Sequence, residues 1–335
     1  MAWKELPVGP AACLERLRAA GWAAYPVGGC VRDLLLGRAP GDVDICTAAR
    51  PETVSALFPG AIPTGLKHGT VTVPTPDGPV EITTFRRERG YADGRHPDAV
   101  TFDVGLAEDL SRRDFTVNAM ALGPDGTVID RFGGRADLAR GIIRCVGDPD
   151  RRFSEDALRM LRGIRFCAQL GFALEGKTAA AMGRNAFRTA QISRERIRVE
   201  LEKTLLSPRP QWAGEMIRLG LLDHLYAFDR PWDLSGLSAL PILPEARWQG
   251  FCAATGFPIG ALPVERKLRR AVEHPERAVI STLALSGGDL MALGLTGPEI
   301  SAAQKRLARH VLDCPEDNTA QRLREILAEQ SGSHS

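Results

Sequence analysis

Two aspartates one residue apart, in Asp42-Val-Asp44-Ile45, follow the glycine pair Gly28-Gly29 by thirteen residues. On a β-strand, residues i and i+2 face the same way, so both carboxylates point to one side while Val43 and Ile45 turn to the core. Such a pair suits two divalent ions ~4 Å apart that clamp an attacking hydroxyl and a leaving pyrophosphate. An isolated Asp-X-Asp is more often a surface turn; the apolar neighbours and the upstream glycines favour the metal reading. In Tyr25-Pro-Val-Gly-Gly-Cys-Val-Arg-Asp33 the glycines stand between a short strand and a helix. Backbone N–H groups there suit a triphosphate, to which Arg32 would add a charge-assisted bond. Taken alone, a Gly-Gly pair is more often a plain tight turn. Val80-Glu81-Ile82-Thr83-Thr84-Phe85 supplies a third acid, Glu81, which fits the metal site and a solvent-facing strand position equally well. No Gly-rich loop ending in Gly-Lys-Ser/Thr occurs, which argues against an ordinary phosphate-loop kinase.

A second constellation begins at Ser154-Glu155-Asp156 and continues through Arg159, Arg162 and Arg165. The spacing predicts an amphipathic helix over 154–170, with Ser154 as N-cap and the two acids at its positive end. Ala157, Leu161, Ile164 and Ala168 share one face, and Asp156, Arg159 and Arg162 the other. That polar row reads most simply as ion pairs at helical spacing. It also has the chemistry of a base template. Cytosine and adenine each offer an amino donor beside a ring-nitrogen acceptor, which a carboxylate and a guanidinium satisfy; uracil and guanine reverse both signs.

The elements that must position these groups give an α+β chain. A short helix over 11–20 precedes a turn-rich β region. Strands are expected at Ala23–Val27, Asp42–Cys46, Val128–Asp130 and Ile142–Val146, with a hairpin of Gly69–Val73 and Val80–Phe85 joined by the turn Pro74–Pro79. After about residue 150 helical periodicity dominates, over 154–170, 177–188, 193–206, 211–219 and on to 328. The balance of 43 basic and 41 acidic residues leaves a net charge of only +2, so nucleic-acid binding must rest on local basic patches. Clusters at 266–270 and 305–309 are such patches, and equally ordinary solvated helix faces. Seven scattered cysteines fit neither a zinc site nor a disulfide framework and suggest a reducing, cytoplasmic compartment. No apolar stretch approaches a membrane span, and the N-terminus lacks the apolar core of a secretory signal.

Taken together, these segments resemble the bacterial CCA-adding enzymes and poly(A) polymerases, the second class of tRNA nucleotidyltransferases in the polymerase-β-like superfamily. Gly28-Gly29-Cys-Val-Arg32-Asp33 with Asp42-Val-Asp44 resembles the family's catalytic motif. Arg112-Arg113-Asp114-Phe115-Thr116-Val117-Asn118-Ala119 resembles the ribose-recognition motif, and Asp130-Arg131-Phe132-Gly133-Gly134 the hinge between head and neck. Glu155-Asp156 with Arg159, Arg162 and Arg165 resembles the amino-acid template, and 196–200 the helix that braces it. The resemblance covers roughly residues 22–225, and five motifs in order make it specific.

What it implies is a polymerase-β-like nucleotidyltransferase head (1–150), a helical neck with the base-recognition helix (151–225), and a reduced helical body and tail (226–335). Asp42 and Asp44 would bind Mg2+; Glu81, from the residue reading above, stays the candidate third catalytic acid, fitting the metal site and a solvent-facing position equally well. Gly28, Gly29, Arg32, Arg113, Asp114 and Asn118 would hold phosphates and sugar; Asp156 and Arg159 would read the base, with Arg162 and Arg165 in support. The reaction implied is CCA addition to the tRNA 3′ end from CTP and ATP, by a monomer. Gly65-Leu-Lys-His-Gly-Thr70 resembles the CCA-adding subgroup, and the loop 86–97 the flexible loop needed for the final A. A-only or CC-only addition, poly(A) synthesis and a non-catalytic RNA-binding relative are the alternatives.

Overall fold

The computed structural model describes residues 6–90 and 99–331. Residues 1–227 and 228–335 form two compact units. The first opens with α1 (Val8–Ala19), β1 (Ala24–Val27), α2 (Gly29–Leu35), β2 (Asp44–Thr47), α3 (Pro51–Leu57) and β3 (Ile62–Gly65). There follow β4 (Thr70–Thr75), β5 (Gly78–Thr84), β6 (Arg87–Arg89), β7 (Ala99–Thr101), α4 (Leu106–Ser111), β8 (Met120–Leu122), β9 (Val128–Asp130), α5 (Gly134–Arg140) and β10 (Ile142–Ile143). Helices then dominate: α6 (Pro149–Glu155) and α7 (Leu158–Leu170), the short β11 (Ala173–Leu174), α8 (Gly176–Asn185), α9 (Arg194–Leu205) and α10 (Ala213–Arg218). The second unit holds α11 (Pro244–Thr255), α12 (Arg266–Glu273), α13 (Glu276–Ile280), α14 (Gly287–Ala292), α15 (Gly297–Asp313) and α16 (Ala320–Ser331). It has a core of its own around Leu290, Leu307 and Leu323.

Seven strands form one sheet in the order β3-β4-β5-β2-β1-β8-β9. β1 is antiparallel to β2, with Val27 opposite Asp44, and β2 runs parallel to β5, with Ile45 opposite Ile82. Alternation along β2 and β5 explains the choice of residues. Ile45 and Ile82 are fully buried and Val43 nearly so, whereas Asp44 and Glu81 lie on the opposite, open face.

Several boundaries differ from the sequence expectations. The strand carrying the paired acids starts at Asp44 and leaves Asp42 in the preceding loop. The β4–β5 ladder extends through Thr75↔Gly78, so the expected turn Pro74–Pro79 shrinks to Pro76-Asp77, with Gly78 supplying a positive φ that its neighbours disfavour. Residues 142–146 give only a two-residue strand, followed by a single bridge between Cys145 and Phe115.

The largest correction concerns the helix expected over 154–170. It is two helices. Asp148 caps α6, its carboxylate accepting from Arg151 N–H at 2.8 Å, and Ser154 sits in the last turn of α6, donating to the Arg151 carbonyl. Asp156 has extended φ/ψ (−148°, 105°) and breaks the run. Its carboxylate then accepts from Leu158 N–H at 3.1 Å and so caps the start of α7. Unlike an amphipathic surface helix, α7 is buried on almost every side, Arg159 and Arg165 included.

The Asp130–Gly134 segment has a local physical reason. The Asp130 carboxylate accepts backbone N–H groups of Phe132, Gly134 and Arg135 at 3.2, 2.9 and 2.9 Å, which fixes the entry to α5. Gly134 is required for contact: a Cβ there would lie 2.3 Å from the Thr116 carbonyl oxygen and 2.9 Å from Met120 Cγ. Gly134→Ala is therefore expected to cost ~1–3 kcal/mol by overpacking, read as a lower urea midpoint with an unchanged slope.

Candidate active site

The sheet register builds the site. Because Val27 pairs with Asp44, the glycine turn that follows Val27 lies beside Asp42 and Asp44. Because Ile45 pairs in parallel with Ile82, Asp44 and Glu81, each one residue earlier, are neighbours on one face. Both aspartates line a cleft of about 340 Å³, together with Gly28, Gly29, Arg32, Arg113, Asp114, Asn118 and Arg162. Nine of the sequence-derived site residues thus meet in one place. Glu81, Asp156, Arg159 and Arg165 lie outside this lining.

The charge pattern is uneven in a useful way. Desolvation within the cleft raises the Asp44 carboxyl above its ordinary value; the Arg113 guanidinium opposes the rise, while Glu81 and Asp42 add to it. Asp42 and Glu81 thus act on Asp44, and Arg113 compensates them only in part. The carboxylate oxygens of Asp42 and Asp44 are hard donors of the kind a divalent cation takes, but with Glu81 they do not close into one group of three ligand atoms all within 4.8 Å of one another.

The basic side of the cleft is more fully compensated. Arg32 donates to Asp33 through Nε at 2.9 Å and Nη2 at 3.0 Å, and through Nη1 to Asn118 Oδ1 at 2.7 Å. Asn118 in turn donates to Asp114 at 3.3 Å. Arg162 reaches the same Asp114, donating from Nε and Nη2 to Oδ2 at 2.9 and 2.7 Å. Burial would raise the Asp114 carboxyl, but Arg162 and the Phe115 N–H, 2.8 Å from Oδ1, hold it at about 2. Arg113 Nη2 donates to the fully buried Asp109 at 3.4 Å, and its own buried Nε has no hydrogen-bond partner among the described residues. Gly28 has φ 82°, and a Cβ there would approach Arg113 Nη1 at 3.0 Å. Glycine at this position thus satisfies both the turn and the guanidinium packed over it.

Asp156 and Arg159 are not paired with each other. Asp156 accepts from Arg196 Nη2 at 3.1 Å, one turn of α9 before Glu200. Arg159 points instead to Glu155 (2.9 Å) and to the Arg112 carbonyl (3.1 Å). Arg165 donates through Nε to Glu200 at 2.6 Å and through Nη1 to Gln169 at 2.8 Å. Residues 91–97 of the expected flexible loop 86–97 lie outside the described residues; of its first part, Arg86 pairs with Glu88 and with the His68 carbonyl.

Four lining residues were not singled out from sequence: Cys30, Asp33, Gly41 and Phe166. Asp33 carries a signal, since an acid directly after Arg32 is a ready partner. Phe166 carries none, because an aromatic residue on an apolar helix reads as core.

This arrangement, a mixed sheet with paired acids and a glycine turn followed by helices, is the architecture of a polymerase-β-like nucleotidyltransferase. The model of the poly A polymerase head domain matches residues 24–144, and that of the probable RNA and SrmB-binding site of polymerase A matches 171–227. The CCA-adding enzyme of Lactobacillus gasseri is 41% identical over 321 residues, 92% of this chain and 80% of that protein. That of Lactiplantibacillus plantarum is 52% identical over 197 residues, 59% of this chain, and the match spans only 48% of that protein's length. For the Geobacillus stearothermophilus enzyme, 45% identical over 272 residues, the shares are 79% and 66%. Among solved structures, the Bacillus stearothermophilus CCA-adding enzyme in complex with CTP superposes with TM-score 0.69 at 32% identity, covering 96% of each chain. The chain belongs to the CCA-adding enzyme family.

The Asp114–Arg162 pair gives a pH-dependent test. A carboxyl held below its unfolded value contributes stability that is complete above that value, near 3.8, and is lost as pH falls through its folded value near 2. Asp114→Asn is expected to lower stability by roughly 2 kcal/mol at neutral pH. The gap from the parent protein should close between about pH 4 and pH 2, as followed by urea midpoints.

Proposed function

We propose that this chain adds C, C and A to the 3′ end of tRNA from CTP and ATP, releasing pyrophosphate at each step. The observation that carries the reading is the convergence of Asp42 and Asp44 on the cleft that also holds the glycine turn and four arginine or amide side chains able to meet a nucleotide, Arg32, Arg113, Asn118 and Arg162. Its family supports it: the relatives that match over most of this chain are named CCA-adding enzymes, and one solved relative carries CTP.

Asp42 and Asp44, with Glu81, would hold Mg2+. When bound, paired divalent ions activate the attacking hydroxyl and offset the charge of the leaving pyrophosphate. The side chains do the rest. Gly28 and Gly29 leave space for phosphate against bare backbone, Arg32 and Arg113 offset the triphosphate charge, and Asn118, held by Asp114, keeps Arg32 and the ribose in register while Asp109 holds Arg113. Arg162 keeps its Asp114 contact and presents its remaining N–H groups to the cleft. Asp156 and Arg159 read the Watson–Crick edge, Asp156 accepting from the amino group of C or A and Arg159 donating to the ring nitrogen. To do so each must leave its present partner, Arg196 and Glu155 respectively. Residues 1–150 serve as head, 151–225 as neck, and the second unit, from about 226, as body and tail for the tRNA. The seven cysteines are free and five are buried, which suits a reducing cytoplasm. Among the described residues no helix is long and apolar enough to cross a membrane.

Product sizing tests the reading. On tRNA ending at the discriminator base, CTP alone should give C additions, and CTP with ATP the full CCA end. No C incorporation there, with A added to tRNA already ending in CC, would replace the proposal by A-only addition. Asp42→Ala should reduce incorporation of both nucleotides at least ~10³-fold, in line with losing a metal ligand of a transfer reaction. Arg159→Ala should relax the preference for C and A over U more than it weakens tRNA binding. If selectivity, measured as the ratio of kcat/KM values, stays unchanged, Arg159 has no role in reading the base.

A further inference from the structure

Three guanidinium groups surround one aromatic ring at the edge of the cleft. The Phe166 centroid lies 4.2 Å from Arg165 Cζ, 5.4 Å from Arg162 Cζ and 5.5 Å from Arg32 Cζ. All three distances fall within the range where a cation is attracted by the negative face of a ring. Arg162 and Arg165 come from the same helix as Phe166, but Arg32 comes from α2, directly after the glycine turn. The ring is 6% exposed and packs edge-on against Phe115, with centroids 5.8 Å apart.

Phe115 immediately follows Asp114, so the ring is braced by the same segment that supplies the carboxylate for Arg162. Three like charges this close repel one another, and each has its own acid: Asp33 for Arg32, Asp114 for Arg162, Glu200 for Arg165. Those acids hold one edge of each guanidinium. Arg32 and Arg162 stand on different elements and both line the cleft. The polar chain from Arg32 through Asn118 and Asp114 to Arg162 ties them on one side, and the shared ring is their second tie. Nη1 of Arg162 has no hydrogen-bond acceptor among the described residues and is free for an incoming anion.

We propose that Phe166 is a positioning residue for the nucleotide triphosphate: its π face sets Arg32 and Arg162 at the spacing from which both meet the phosphate chain. This rests on the nucleotidyl-transfer reading of the cleft. The role concerns the phosphate chain, which CTP and ATP share, so the effect is the same for both. A bulky apolar filler of the same shape keeps the packing but not the attraction for the cations.

The test separates shape from charge. Replacing Phe166 by phenylalanine analogues with successive ring fluorines leaves the volume nearly constant and drains the π face step by step. KM for CTP and for ATP should rise in step with fluorination, reaching about tenfold for the fully fluorinated ring, with kcat and the KM for tRNA unchanged. Thermal melting of each variant, and of Phe166→Leu, reports the packing role separately. A nucleotide KM indifferent to fluorination, or one that follows the melting temperature instead of the ring's charge, would overturn the proposal. Calorimetry with inorganic tripolyphosphate needs no turnover and separates this idea from the reaction itself. If the parent protein binds tripolyphosphate with graded loss across the series yet transfers no nucleotide, the transfer reading fails and the role of Phe166 stands. If the parent binds no tripolyphosphate at all, the role of Phe166 falls with it.

Discussion

The candidate site depends on β2 being paired differently on its two edges. On one edge it runs antiparallel to β1 and sets Asp44 opposite Val27, the last residue before the glycine turn. On the other it runs parallel to β5 and sets Asp44 beside Glu81. A slip of one residue on either edge would send every side chain of β2 to the opposite face, exchanging Asp44 for Ile45. The burial of Ile45 resists such a slip, since it would then leave the core it shares with Ile82. Hydrophobic packing beneath the sheet thus determines where negative charge gathers above it.

That charge meets a second constraint on the opposite wall. The arginines of the cleft are each held by an acid, and some of those acids are themselves positioned by backbone or amide donors, as in the chain from Arg162 to Asp114 to Phe115 N–H. Buried guanidinium groups need such partners, because an uncompensated charge in the interior is costly. Asp44 is left under-compensated, and the bases of the cleft are pre-arranged. This asymmetry suits a site whose ligands bring both positive charge, as ions, and negative charge, as phosphates.

Much of the site could be read from residue types because its parts are local patterns. Alternation around Asp42 and Asp44 tells which side chains share a face, and the glycine pair marks a turn without any tertiary information. The strand carrying the acids still began two residues late, because whether Asp42 joins the ladder depends on where β1 ends. The base-reading region was harder. Periodicity over 154–170 is real on the buried side, where Leu161, Ile164 and Ala168 fall as expected. Yet an acid–arginine row gives no hint that Asp156 leaves the helical conformation, or that Arg159 turns toward a carbonyl from a segment more than forty residues earlier. Those are tertiary choices, and local spacing cannot encode them. Phe166 was hidden for the same reason: its neighbours in sequence look like core, and its role is visible only once α2 is beside it.

The parallel pairing of β2 with β5 also bears on how the chain reaches its native state. The β4–β5 hairpin closes over two residues and can form early from nearby chain, and β1 with β2 needs only the short span through α2. Joining those two pieces closes the somewhat longer span through α3 and β3, and such non-local pairing is the slower kind. Asp44 and Glu81 sit on either side of that seam. The carboxylate crowd therefore comes into being only when the two halves of the sheet zip together, so like-charge repulsion weighs on a late step of assembly, and a cation captured there would act as a clasp on the finished sheet.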